Sequence, residues 1–213
     1  MIYDLLMRLP FSCWVLACAA AQSSGLVQYV NETPISAGAA IHIALRLSTI
    51  LFLLLLGIAC VLRTRPSTKA SGLEPRISAL AGTFLIYGIV LFPRCPLTPA
   101  MEVVSTFMTL IGLTGSLIAL YQLGRSFSLM AESRQLVTSG PYRFVRHPLY
   151  VGEEIAALGL FIQFASVWSA LIFVMQVAFQ LRRIHNEEAV LSTSFPEYHA
   201  YRRTTARLVP GIY

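Results

Sequence analysis

The chain has 213 residues, 56% of them hydrophobic and only 12% charged, with a formal net charge of +6. Soluble domains carry about a quarter charged residues, so a soluble globular protein is excluded. The basic excess sits between apolar runs, the pattern of membrane topology rather than of a phosphate-binding surface, and nucleic-acid binding is not expected. Cys13, Cys18, Cys60 and Cys95 form no CxxC pair, and Cys60 falls inside an apolar run. They read as small apolar side chains, so neither a disulfide framework nor a metal site is expected.

The first apolar run, Leu5 to Ala21, has features of a signal peptide, with small residues at Ala17-Cys18-Ala19-Ala20-Ala21. Asp4 beside Arg8, and Pro10 within the run, favour a retained helix instead. Further runs are Ala37–Leu62, Ile77–Phe92, Met101–Gly124, Leu149–Phe164 and Val167–Leu181. Several reach the roughly 20 residues that cross a bilayer. The fold class predicted is an all-α polytopic membrane protein of five to six transmembrane helices, forming one integrated membrane domain. Within it, residues 1–123 supply the N-terminal transmembrane helices, and residues 124–213 a loop, a helical hairpin and a C-terminal segment. Leu149–Phe164 is short, roughly 24 Å at helical rise. With only Ala165-Ser166 before the next run, the last two helices are predicted to form a tight antiparallel hairpin.

Arginines and lysines set the orientation. Segment 63–76 carries Arg63, Arg65, Lys69 and Arg76; segment 125–148 carries Arg125, Arg134, Arg143 and Arg146. The tail after 181 adds Arg182, Arg183, Arg202, Arg203 and Arg207. If each run spans once, all three segments share one side, the cytoplasmic one, and both termini join them. The protein is then expected in the cell (inner) membrane. The short hairpin also brings segment 134–150 next to residues 183–188.

Several residues in this region carry chemistry. Gln176, Gln180, Arg183 and Glu187 are spaced to share one face of the last long helix. Polar groups along a membrane helix are costly unless they face protein or a water-filled cavity. The stripe is therefore either an Arg183–Glu187 pair at the interface or a cavity wall with a cation-binding carboxylate beside an anion-binding guanidinium. Glu153 and Glu154 begin the preceding helix, where acidic residues complement the dipole, and one of them can also reach a site. Pro148 fits a first helical turn, and the free N–H groups there can bind an anionic group. His147 before it is either a packed or capping residue or part of that site. His42 and Arg46, four apart in the second run, read as snorkelling to the interface. Gly124 reads as a helix stop and Arg125 as an interface anchor.

An ordered set of short elements runs from Gly124 to Tyr213. They are Gly-Arg-Ser-Phe-Ser (124–128), Leu-Val-Thr-Ser-Gly-Pro-Tyr (136–142), Arg-His-Pro-Leu-Tyr (146–150), Glu-Glu-Ala-Val-Leu (187–191), Phe-Pro-Glu-Tyr (195–198), Tyr201 and Pro210. In this order, around a helical hairpin, the chain resembles integral-membrane methyltransferases related to isoprenylcysteine carboxyl methyltransferase and phospholipid N-methyltransferase. The resemblance implies S-adenosylmethionine as cofactor, in a cytoplasm-facing pocket enclosed by the hairpin and the C-terminal segment. It implies that Gln135, Leu136 and Val137 line the cofactor through backbone contacts. It likewise implies that Tyr142, His147, Pro148, Leu149 and Tyr150 enclose the cofactor, and that Glu187, with Glu188 beside it, meets its amino group. Arg183 matches the residue that holds the acceptor. A charge-assisted bond suits the ammonium, and tyrosine faces suit the sulfonium or adenine.

The acceptor implied is lipophilic or membrane-embedded, foremost an isoprenylcysteine-type carboxylate, which Arg183 would orient without a general base. A phospholipid or small amine would need a base, for which Glu153, Glu154 and His147 are candidates. The Arg-His-Pro-Leu-Tyr-Val-Gly-Glu stretch is also similar to membrane sterol reductases that use NADPH, which usually carry Asn at the position of Leu149. A non-catalytic lipid-binding protein of the same fold is the remaining alternative.

Overall fold

The computed structural model describes residues 2–34 and 36–211, with side chains from Pro10 onward except at Ala37. The side chains of Asp4 and Arg8, and Tyr213 at the end of the motif-bearing stretch, lie outside the described residues. Helices dominate: α1 (Ile2–Glu32), α2 (Ala37–Leu62), α3 (Glu74–Phe84), α4 (Pro99–Leu123), α5 (Pro148–Gln163), α6 (Val167–Ser194) and α7 (Tyr198–Thr204). Five segments are long and apolar enough to cross a membrane: Pro10–Glu32, Gly38–Leu62, Glu74–Leu91, Pro99–Ser126 and Val167–Ser194. The chain is thus an integral membrane protein, mostly helical, and α5 with its 16 residues falls short of a full span.

Two elements outrun their apolar runs. Helix α1 continues past Ala21 to Glu32 because its polar residues fold back onto the helix. Ser23 Oγ donates to Ala19 O at 2.9 Å, Ser24 Oγ donates to Ala21 O at 2.9 Å, and Gln28 bonds Glu32 one turn on. Helix α6 continues past Leu181 because its polar end docks on α3. Arg182 Nε donates to Glu74 at 2.7 Å, and Asn186 bonds both Glu74 and Ser78. The third run is a helix only to Phe84; Leu85–Leu91 winds as a tighter 3-10 turn. That winding stacks residues three apart, bringing Ile86 and Ile89 together against Ala157 and Phe164.

The α5–α6 connection is as short as expected, fastened by a capping box between Ser166 and Ser169. The packing differs from a tight hairpin. Helix α5 lies closest to α4, and α6 lies closest to α3. Small residues explain this. A methyl group on Gly152 would lie 2.7 Å from Gly112 O and Ser116 N, and one on Gly159 2.7 Å from Ser105 O. Such close backbone approach is how helices associate where lipid removes the hydrophobic drive. Helix α5 meets α6 through Phe161 stacked on Phe173, ring centroids 5.4 Å apart, and through glutamate–glutamine bonds.

The basic segments do share one end. Strands β1 (Thr68–Lys69) and β2 (Glu132–Ser133) pair antiparallel there, and Thr64 N donates to Arg125 O. Gly124 ends α4 with φ +50, the stop that its sequence position anticipated. The Arg134 guanidinium donates to Thr64 O and pairs with Glu132 at 2.5 Å.

The α4–α5 contact yields a prediction. Gly152→Val forces a branched side chain into backbone and should destabilise the protein by about 1–3 kcal/mol. Gly115→Ala, where an added Cβ meets nothing within 4 Å, is the control. Thermal unfolding in detergent should separate the two; equal melting temperatures would contradict close α4–α5 packing.

Candidate functional site

Glu188 organises the basic end. Its Oε1 accepts from Arg146 Nε at 2.8 Å and lies 3.2 Å from His147 Nε2; its Oε2 accepts from Arg207 Nη2 at 2.7 Å. Glu188 is only 3% exposed, so the carboxylate is held by partners rather than by water. Arg146 also donates to Arg202 O and Thr205 O. Backbone bonds reinforce the contact: Arg146 N to Ala206 O and His147 N to Arg207 O. The segment after α7 is thereby clasped to the turn before α5.

The clasp walls a narrow cavity of about 70 Å³. Of the residues the sequence singled out, Gln135, Leu136, Val137, Tyr142, His147, Leu149, Tyr150 and Glu187 line it. Pro148 starts α5 as expected and lies outside the lining, and Glu188 turns toward the clasp. Phe127, Ser128, Leu191, Tyr198 and Tyr201 also line the cavity. They stood in the quoted motifs, and sequence reasoning gave them no role. Glu132 and Arg134 line it too, and no local pattern marked them.

Polar geometry inside the cavity is specific. Tyr150 Oη donates to Glu187 Oε2 at 2.7 Å, and His147 stacks on the Tyr150 ring at 5.5 Å. Tyr201 Oη donates to Tyr142 O at 2.5 Å; burial pushes its phenol up to about 12, so it stays a donor at neutral pH. Burial likewise raises the Tyr142 phenol.

Arg183 and Glu153 belong to a second, largely apolar cavity of about 280 Å³, lined by Phe11, Phe52, Phe84 and Leu160 among others. Phe127 and Leu149 line both cavities and form their shared wall. Arg183 does not pair with Glu187. Its Nη1 donates to Thr83 Oγ1 and its Nη2 to Leu129 O, each at 3.0 Å, with the guanidinium 4.7 Å from the Tyr150 ring centroid. Of the polar stripe, Gln176 and Arg183 line this cavity, Glu187 lines the first, and Gln180 lines neither. Glu154 lines neither cavity and accepts from Gln176. Near the opposite end of α2, Arg46 sits over Tyr29 at 5.7 Å and His42 contacts the same ring, so these two residues pack against α1.

The clasp gives a second prediction. Glu188→Ala leaves two guanidinium groups without their shared carboxylate and should cost about 3–5 kcal/mol locally. Hydrogen exchange at the Arg146 and His147 amides reads this out; unchanged protection would show that the backbone contacts hold the segment alone.

Comparison with known proteins bears on this arrangement. A model of the isoprenylcysteine carboxyl methyltransferase (ICMT) family matches residues 104–193, from α4 to the end of α6. The nickel-cobalt-cadmium resistance protein NccN of Alcaligenes xylosoxydans xylosoxydans is 37% identical over 95 residues, 44% of this chain and 42% of that protein. The protein-S-isoprenylcysteine O-methyltransferase of Schizosaccharomyces pombe is 39% identical over 101 residues, 44% of this chain and 43% of that one. A probable protein-S-isoprenylcysteine O-methyltransferase of Oryza sativa subsp. indica is 30% identical over 130 residues, 58% of this chain and 68% of the rice protein. The chain spans less than half the length of the first two. The aligned helices and the coverage of the rice protein together place this chain in the isoprenylcysteine carboxyl methyltransferase family.

Proposed function

We propose that the protein transfers a methyl group from S-adenosylmethionine to a lipophilic acceptor lodged in the apolar cavity. The observation that carries this reading is the pair of cavities sharing the wall of Phe127 and Leu149. One is polar and walled by the motif residues; the other is apolar and bounded by membrane helices.

The donor set of the polar cavity fits the cofactor. When bound, S-adenosylmethionine supplies an electrophilic methyl on a sulfonium. The Glu187 carboxylate, held by Tyr150, suits its ammonium as a charge-assisted partner. The faces of Tyr142 and Tyr150 suit a sulfonium or an adenine. Gln135, Leu136 and Val137 line the same cavity. Phe127 and Leu149 would exclude water between the cavities, and alignment with desolvation supplies much of the rate in such a displacement. With the basic segments cytoplasmic, the polar cavity faces the cytoplasm and the acceptor enters from the bilayer.

Two head groups suit the charged residues lining the apolar cavity: a prenylcysteine carboxylate, as in the relatives' names, at Arg183, and a lipophilic amine at Glu153. The sterol-reductase alternative predicts NADPH binding in place of S-adenosylhomocysteine binding.

Calorimetric titration of the purified protein with S-adenosylhomocysteine, in parallel with NADPH, tests the proposal. Saturable binding of S-adenosylhomocysteine alone is expected, and NADPH binding alone would refute it. Glu187→Ala should weaken S-adenosylhomocysteine at least about tenfold, the worth of a charged hydrogen bond. Arg183→Ala should leave that affinity intact while lowering turnover; unchanged turnover would remove Arg183 from the acceptor site.

A further inference from the structure

Two carboxylates beside the apolar cavity have no part in holding a cofactor. Glu153 lines that cavity, and its Oε2 accepts one 2.8 Å bond from the Gln180 amide. Glu154 accepts a 2.8 Å bond from Gln176 through Oε1, while its Oε2 is buried without a partner. Among the described residues neither carboxylate stands in an ion pair.

The surrounding amides sharpen the imbalance. Gln176 is 2% exposed and lines the same cavity. Its nitrogen is fixed by two acceptors, Gly82 O at 3.0 Å and Glu154 Oε1 at 2.8 Å, which leaves its oxygen buried and unmatched. Gln180 Oε1 likewise lacks a donor. Arg183, the guanidinium at this end, already donates to Thr83 and Leu129 and lies over Tyr150. Glu153, Gln176 and Arg183 line this end of the cavity, with Glu154 and Gln180 behind it, bonded to Gln176 and Glu153.

We propose that the acceptor is a lipophilic amine whose protonated head is bound by Glu153 beside the Gln176 oxygen. The inference rests on the methyltransferase reading. A carboxylate head would add a negative charge beside Glu153 and no donor for the Gln176 oxygen, a costly addition away from water. A primary ammonium offsets the Glu153 charge and brings an N–H donor to that oxygen. The apolar cavity then holds its hydrocarbon chain.

The chemistry closes. Glu153 takes one proton from the ammonium, freeing the nitrogen lone pair. That pair forms the new N–C bond as the methyl–sulfur bond breaks, its electrons staying on sulfur. The products are an N-methylammonium and a thioether; the proton on Glu153 passes to water when product leaves. A carboxylate acceptor releases no proton and gives Glu153 no such task.

The test uses the whole protein in lipid nanodiscs, with empty nanodiscs as the partition control. Dodecylamine and dodecanoate, equal in chain, are titrated without cofactor and then offered with radiolabelled S-adenosylmethionine. Saturable binding and labelling of dodecylamine over dodecanoate are expected. Glu153→Gln should lower dodecylamine affinity at least about tenfold while S-adenosylhomocysteine affinity is kept, which also shows that the variant folds. Gln176→Leu should lower it in the same direction. Preference for dodecanoate, or amine binding indifferent to Glu153→Gln in a variant that binds S-adenosylhomocysteine, overturns the amine assignment and leaves the methyltransferase reading standing. Failure of the wild type to bind S-adenosylhomocysteine overturns both.

Discussion

A charge placed where water cannot reach must be answered by protein, and Glu188 is where this fold answers it most fully. Arg146, His147 and Arg207 converge on its two oxygens from the turn before α5 and the segment after α7. Those elements are far apart in sequence. The carboxylate gives them a common anchor, and the polar cavity exists because that anchor draws its walls together. His147 also stacks on Tyr150, and Tyr150 in turn orients Glu187, so the anchor passes directly into the site.

The second cavity has a different cause. Glycines and small side chains let α5 sink against α4, nearly backbone to backbone. Helix α6 is drawn the other way, to α3, by Glu74, Ser78 and the Gly82 carbonyl. Phe161 on Phe173 holds one end of the two helices together, and glutamate–glutamine bonds bridge them further along. An apolar space remains beside those bridges, reaching toward the tyrosine that carries the polar cavity's geometry. One aromatic ring thus touches both Glu187 in the polar cavity and the guanidinium facing the apolar space.

Much of this was legible beforehand. Run lengths and the arginine bias gave the helices and the shared basic end, because both follow from the cost of polar groups in lipid. The spacing of Gln176, Gln180, Arg183 and Glu187 marked a face turned inward. The extension of α1 to Glu32 was not legible, since serines that bond their own helix look the same in sequence as serines of a loop. The two-residue β1–β2 ladder was too short for any alternation to show. Glu188 read as a partner to Glu187 at a cofactor; one residue of helical rotation turns it to Arg146 and Arg207 instead.

By itself the sequence determined a membrane chain, its helices, its basic end and an ordered set of motifs around a hairpin. These are local or additive properties, set by hydropathy, spacing and charge along one strand of polymer. Tertiary structure alone decided that α5 leaves α6 for α4, that Arg183 faces Tyr150 rather than Glu187, and that Glu153 and Glu154 bond to glutamine amides and form no ion pair among the described residues. Each depends on which backbone approaches closely enough and which donors arrive from distant segments, and such contacts leave no periodicity in the chain to read.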